Sequence, residues 1–351
     1  MMPPTAMPQA LAPPDAGHDE PLLEGPLLSV RGLSTCFATA DGVLRAIEAI
    51  DLDVMRGECL GVVGESGSGK SVTFASVMGL IKPPGKITAG SVRLDGVELT
   101  QLSAVALRRL RGRQIAMTLQ DALTALNPVL TIETQLCEVI RAHDDDVARL
   151  PRPQRARAAR GRAVEMMALV GIPSPRQRLG DYPHQFSGGM RQRIMMAIAL
   201  ACRPRLLIAD KPTTALDVTV QAQVLELIAE QRARWGMSVV LITHDLAVVA
   251  ERCDRIVVMY AGQVVETGRT ADVIADPRHP YTRGLLASIP RADDPSLPIR
   301  PIQGTVPSLI DPPAQCRFYA RCERREAACL AAIPVMSFGD GRSARCLFAE
   351  A

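Results

Sequence analysis

The apolar run Cys59-Leu60-Gly61-Val62-Val63 leads directly into Gly64-Glu65-Ser66-Gly67-Ser68-Gly69-Lys70-Ser71, and helical spacing follows through Met78 and Leu80. A buried strand, a glycine-rich loop and a helix in that order satisfy both the G-x-x-x-x-G-K-S pattern and the context it requires. Glycines let successive backbone N-H groups converge on phosphate oxygens, and the start of a helix adds favourable partial charge. Lys70 can then reach the outer phosphates, while the Ser71 hydroxyl can ligate Mg²⁺.

Two more short apolar runs, Leu206-Leu207-Ile208-Ala209 and Val239-Val240-Leu241-Ile242, alternate with helical stretches. That alternation predicts an α/β fold with a mostly parallel core sheet covered by helices. Leu28 to Phe37 and Leu44 to Val54 read as further strands, antiparallel at one side. Residues from about 121 to 187 carry helical spacing with few strand signals, which predicts an inserted helical subdomain. Residues 1 to 26 are rich in Pro and Ala and cannot bury enough surface to offset chain entropy, so they are expected to form a disordered tail. Folded structure is expected over 27 to 285. A Pro-rich and Cys-rich extension is expected over 286 to 351.

With 351 residues and 47% hydrophobic content, the chain has ample volume for a core. Its 40 basic and 37 acidic residues give a formal charge of only +3, which implies no general attraction to nucleic acid or anionic membrane. The basic stretch Arg152 to Arg162 lacks aromatic residues and is read as a solvated helix face. No apolar run approaches the length that spans a bilayer, and the first residues do not read as a leader.

Between the phosphate loop and the strand-end Asp210 lies Gln185-Phe186-Ser187-Gly188-Gly189-Met190-Arg191-Gln192-Arg193. With this run the chain resembles an ATP-binding-cassette ATPase, a P-loop NTPase with an ABC-type nucleotide-binding domain. The resemblance covers residues 28 to 268. It implies that Gly64 to Ser71 hold ATP, that Asp210 holds Mg²⁺ with Ser71, and that His244 contacts the γ-phosphate. It further implies that Gln120 ligates the metal or its water, and that Ser187, Gly188, Gly189 and Asp217 contact ATP held by a second cassette. Phe37 matches either the aromatic on which adenine stacks or an ordinary core residue. Such a chain works as half of a pair, as a heterodimer or a homodimer. One position departs from the family: Lys211 follows Asp210 where a glutamate normally orients or deprotonates the attacking water. A charged ammonium cannot accept a proton, so slow hydrolysis is expected at this site.

Downstream, Arg278-His279-Pro280-Tyr281-Thr282, Gly304-Thr305-Val306-Pro307-Ser308-Leu309 and Cys316-Arg317-Phe318-Tyr319-Ala320-Arg321-Cys322 resemble the tail of ATPase subunits in dipeptide, oligopeptide and nickel importers. That resemblance implies two transmembrane permease subunits, an extracytoplasmic solute-binding protein acting indirectly, and a peripheral place on the cytoplasmic face of the inner membrane. Short peptides are the leading cargo, with nickel or another small solute as the alternative. A non-catalytic regulatory cassette and a soluble ATPase acting on ribosomes or DNA are readings of other classes. Cys316, Cys322, Cys329 and Cys346 follow a C-x5-C-x6-C-x16-C spacing. Members of the resembled group carry a 4Fe-4S cluster there, and zinc or no metal are the alternatives. Cys36, Cys59, Cys137, Cys202 and Cys253 lie in apolar segments and read as core residues.

Overall fold

The computed structural model describes residues 25–119, 125–213, 217–288, 300–339 and 341–349. Most of the expected N-terminal tail, Gln120 and residues 214–216 therefore lie outside the described residues. The first strands are β1 (Leu28–Thr39), β2 (Gly42–Val54), β3 (Cys59–Val63), β4 (Gly85–Leu94) and β5 (Val97–Glu98). They are followed by β6 (Ile115–Thr118), β7 (Leu206–Asp210), β8 (Ser238–Ile242), β9 (Arg255–Tyr260), β10 (Gln263–Arg269), β11 (Met336–Ser337) and β12 (Ser343–Ala344).

Among the described residues these strands make two sheets. One is antiparallel, in the order β2-β1-β4-β5. The other runs β11-β12-β10-β9-β3-β8-β7-β6, parallel from β9 to β6 and antiparallel beyond β9. The mostly parallel core with antiparallel strands at one side is thus the observed architecture.

Every residue of β3, β7 and β8 is buried, as expected of parallel strands covered on both faces. Side chains alternate across a strand, so the apolar runs divide between two cores. Leu60, Val62, Leu206, Ile208, Val240 and Ile242 join the core shared with the antiparallel sheet and the loop-following helix Lys70–Val77. Their neighbours Cys59, Val63, Leu207, Ala209, Val239 and Leu241 join the opposite core, which continues into the helical region. There Ile132–His143 packs against Arg152–Leu169 through Leu136, Ile140, Ala159, Ala163 and Met166. The arginines at 152, 157 and 160 are exposed, as a solvated face requires.

Side-chain caps start these helices where the sequence supplies Thr, Ser or Asp. Thr131 accepts from the Thr134 amide at 3.2 Å and Asp245 from the Ala247 amide at 2.9 Å. The helix after the phosphate loop stops at Val77, short of the expected Leu80, because Gly79 turns into the left-handed region at φ 61°.

The C-terminal residues are laid onto the edges of both sheets. Leu309 accepts from the Arg45 amide at 2.8 Å, and Asp311 donates its amide to Val43 at 3.0 Å, covering the outer edge of β2. Strand β12 pairs with β10 through Glu266–Ala344 and Thr267–Ser343. Edge strands left open invite pairing with other chains, and here the chain's own tail occupies them. Among the described residues no helix is long and apolar enough to cross a membrane.

Candidate nucleotide-binding site

Strands β3, β7 and β8 are parallel neighbours, so Gly64, Lys211 and Thr243 leave the sheet at the same carboxyl edge. In open α/β sheets the crevice outside this edge is where ligands bind. The Thr243 amide donates to Val62 at 3.2 Å and the Lys211 amide to Ile242 at 2.9 Å, which fixes the three exits against one another. Strand β6 ends at Thr118 on that edge as well, and Gln120 two residues on lies outside the described residues.

Gly64 sits at φ 146°, and a Cβ there would collide with the Met259 carbonyl and come within 2.8 Å of Ser68 Oγ. Gly69 sits at φ 98°, where a Cβ would lie 2.8 Å from Ile47 and 3.0 Å from the Ala46 carbonyl. Only glycine meets both demands. Within the loop, Lys70 donates from Nζ to the carbonyls of Gly64 at 2.6 Å and Glu65 at 2.8 Å, and to Ser68 Oγ at 3.0 Å. Burial, and then the positive charge of Lys211, lower the Lys70 pKa to about 8. The negative charge of an arriving phosphate would oppose both effects. Ser66 and Gly67 are exposed at the mouth of the loop.

Asp210 is buried, and burial raises its pKa against the opposing hydrogen bond from Ser71 and the charges of Lys211 and Lys70. Its other oxygen, Oδ1, takes no hydrogen bond among the described residues. A buried carboxylate oxygen left open beside a serine hydroxyl suits a hard divalent cation or its bound water. Lys211 adopts φ 49°, a strained conformation for a side chain of this size and a common feature of sites where function dictates geometry. His244 is exposed on the same edge.

The other expected residues stand apart from this cradle. Ser187 caps the helix Gly188–Leu200 by accepting from the Met190 amide at 3.4 Å, and Ser187 and Gly188 are both exposed. No acidic residue occupies that helix's first turn. Gly189 is half-buried, and among the described residues no hydrogen bond joins residues 187–189 to residues 64–71. Asp217 is exposed and caps the helix Val218–Trp235, accepting from the Val220 amide at 2.9 Å. Phe37 lies in β1 opposite Gly85, with its ring filling the space a Cβ would take. It is half-buried there.

The four C-terminal cysteines converge. Cys316, Cys322, Cys329 and Cys346 line one small recess with His279, Phe318 and Phe348. The Cys316 amide donates to the Cys329 carbonyl at 2.9 Å. Burial, and then the neighbouring cysteines, push the Cys316 thiol up to about 11. None of the four forms a disulfide. Among the described residues no group of three Cys, His, Asp or Glu side chains is arranged to hold a metal ion, which supports neither the cluster nor zinc. Of the remaining cysteines, Cys59, Cys137 and Cys253 are buried, whereas Cys36 and Cys202 are only half-buried.

Two features near the loop carry no local sequence signal. Tyr281 Oη accepts the Glu65 amide at 2.8 Å, and Arg321 forms two bonds to the Glu65 carboxylate.

Residues 47–214 match the ABC transporter family, and residues 265–329 match the oligopeptide/dipeptide transporter C-terminal region. The dipeptide transport ATP-binding protein DppD of Bacillus subtilis is 48% identical over 86% of this chain and 88% of its own length. The chain belongs to the ABC transporter ATP-binding subunits of the dipeptide and oligopeptide group. The oligopeptide transport ATP-binding protein AppD of the same organism is 44% identical over 92% of this cassette and 97% of its own length. Among solved structures, the dimeric ATP-binding cassette MJ0796 bound to ADP and Pi is 25% identical with a TM-score of 0.61, covering 69% of this cassette and 98% of that chain. Membership makes the cassette an ATPase subunit.

Proposed function

We propose that this cassette is the ATP-binding subunit of an importer of short peptides, peripheral on the cytoplasmic face of the membrane. The observation that carries the reading is the joint match of a cassette and a peptide-transporter C-terminal region in one chain, together with 48% identity to DppD and 44% to AppD. Its partners in this reading are a second homologous cassette, two permease subunits and, indirectly, an extracytoplasmic solute-binding protein.

ATP is taken into the cradle of Gly64 to Ser71, where loop amides and Lys70 meet the phosphates. Ser71 and Asp210 would hold Mg²⁺, which would offset the charge of the phosphate oxygens, and Gln120, which follows β6 in the sequence, is assigned to the metal or its water. The open Asp210 oxygen supports this assignment. His244 meets the γ-phosphate from β8. Phe37 is assigned to adenine, supported by its partial exposure. Ser187, Gly188, Gly189 and Asp217 serve the ATP of the partner cassette, a reading supported by their exposure and by the open helix N-terminus behind Ser187. Closure of the two cassettes on ATP, relayed by the helical region to the permeases, drives the transport cycle.

At its own site the cassette hydrolyses slowly, because Lys211 can attract phosphate but cannot take a proton from water. Cys316, Cys322, Cys329 and Cys346 would hold a 4Fe-4S cluster through their thiolates, a reading supported by their lining one recess. When bound, the cluster supplies a structural cross-link to a lobe with little core of its own.

Copurification tests the transport reading. Tagged cassette extracted from membranes in mild detergent should bring down two hydrophobic permeases and a second cassette, and peptide should stimulate ATP turnover once the binding protein is added. Recovery of the cassette alone from the soluble fraction, with turnover indifferent to permeases, would remove the importer assignment.

A further inference from the structure

Glu65 places a carboxylate in the second position of a loop built to attract anions, near enough to the Lys70 ammonium to favour its charged form. What meets that carboxylate comes from 256 residues away. Arg321 Nη1 donates to Glu65 Oε2 at 2.7 Å and Nη2 to Oε1 at 3.0 Å, a two-point pairing that matches the planar guanidinium fork. The arginine side chain is only 4% exposed, against 28% for the glutamate.

Its other donors are committed to fixed acceptors: Nε to the Gln303 carbonyl at 2.9 Å, Nη2 to Ile302 at 3.2 Å and Nη1 to Tyr260 Oη at 3.3 Å. Tyr260, Tyr281 and Phe318 pack around it with ring centroids 4.5 to 5.5 Å apart. Four residues earlier, Arg317 bonds the Ala261 carbonyl and the Glu48 carboxylate. The next residue, Gly262, donates its amide to Ser68 of the loop at 3.0 Å. The segment from Cys316 to Cys322 therefore meets the phosphate loop directly at Glu65 through Arg321 and indirectly at Ser68 through Arg317, Ala261 and Gly262.

We propose that Arg321 is a positioning residue for nucleotide binding, which neutralises Glu65 and holds its carboxylate on the side of the loop that faces the C-terminal lobe. Without it a bare carboxylate stands beside the phosphate cradle and repels the nucleotide. The proposal rests on reading residues 64–71 as the phosphate cradle. It gives the lobe a part in ATP binding, as a supplier of one buried cation to the loop.

The test is Mg-ATP affinity measured by calorimetry on the full chain. Arg321→Gln should bind about tenfold more weakly, the effect of one like charge a few ångströms from the phosphates at a partly wetted site. Adding Glu65→Gln to that variant should bring affinity back to within about threefold of the parent, since the repelling charge is gone. Unchanged affinity in Arg321→Gln overturns the proposal, and so does a double variant as weak as the single one, because the arginine would then act only through the fold of the lobe. If Arg321→Gln does not fold, Glu65→Gln alone decides. It leaves the Arg321 charge beside the loop and should bind Mg-ATP more tightly than the parent, and equal or weaker binding overturns the proposal. A parent chain that binds no Mg-ATP would instead sink the phosphate-loop reading itself.

Discussion

Gln192 donates its side-chain amide to the Pro212 carbonyl at 2.8 Å, tying the helix that Ser187 caps to the turn after Asp210 and Lys211. Gln192 and Pro212 are both buried, and the bond links the segment proposed for the partner's ATP with the strand end proposed to hold Mg²⁺. Replacing Gln192 by Leu leaves a buried carbonyl with no donor, which costs about 1–3 kcal/mol. Urea unfolding should show a lower midpoint at an unchanged slope, the unfolding free energy falling by that amount. A midpoint equal to the parent's would show that the bond contributes nothing.

At position 211 the expected effect is on rate. Lys211→Glu in the assembled transporter supplies the missing base, and a well-placed general base contributes about 10² to 10⁴ in rate. Phosphate release under saturating Mg-ATP measures it. Turnover that stays flat after the exchange would mean that Lys211 is not what limits hydrolysis, and the regulatory-cassette reading would gain.

His279 makes stability depend on pH. It is buried at the start of the helix Pro280–Ala287, its Nδ1 accepts the Tyr281 amide at 3.0 Å, and burial lowers its pKa to about 3. The unfolded chain binds a proton here near pH 6.5 and the folded one does not, so between those values the unfolded state holds more protons. Stability is therefore full above about pH 6.5 and falls as pH drops, by up to about 1.4 kcal/mol per unit. Denaturant titrations at pH 7 and pH 5 should show this fall in the parent. In His279→Asn, which keeps a capping acceptor without the titration, the fall should shrink by about that slope, and an identical fall in both chains would refute the assignment.

The cluster proposal predicts iron. Anaerobically purified protein should carry about four irons per chain with broad sulfur-to-iron absorbance, and Cys316→Ser should lose most of both. A colourless parent with no bound iron would end the cluster proposal. Chelation of iron from a loaded parent should also lower its thermal midpoint, because metal binding to such a lobe is folding energy.

From sequence alone the stretch from Cys59 to Leu80 could be read as strand, loop and helix, with only the helix end set too late, and Asp210 and Lys211 could be set at the end of a second strand. Those features are local: apolar runs, glycines at positions with positive φ and helical spacing act on neighbouring backbone. The common carboxyl edge shared by β3, β7 and β8 needed the strand order, which no single segment carries. Only the folded chain brings Arg321 to Glu65, sets Leu309 to Asp311 along β2, and gathers four cysteines around one recess. Such contacts join residues far apart in the chain. Which distant side chains meet depends on how the buried faces of the two sheets and the helices come together, and periodicity along the chain does not specify that pairing.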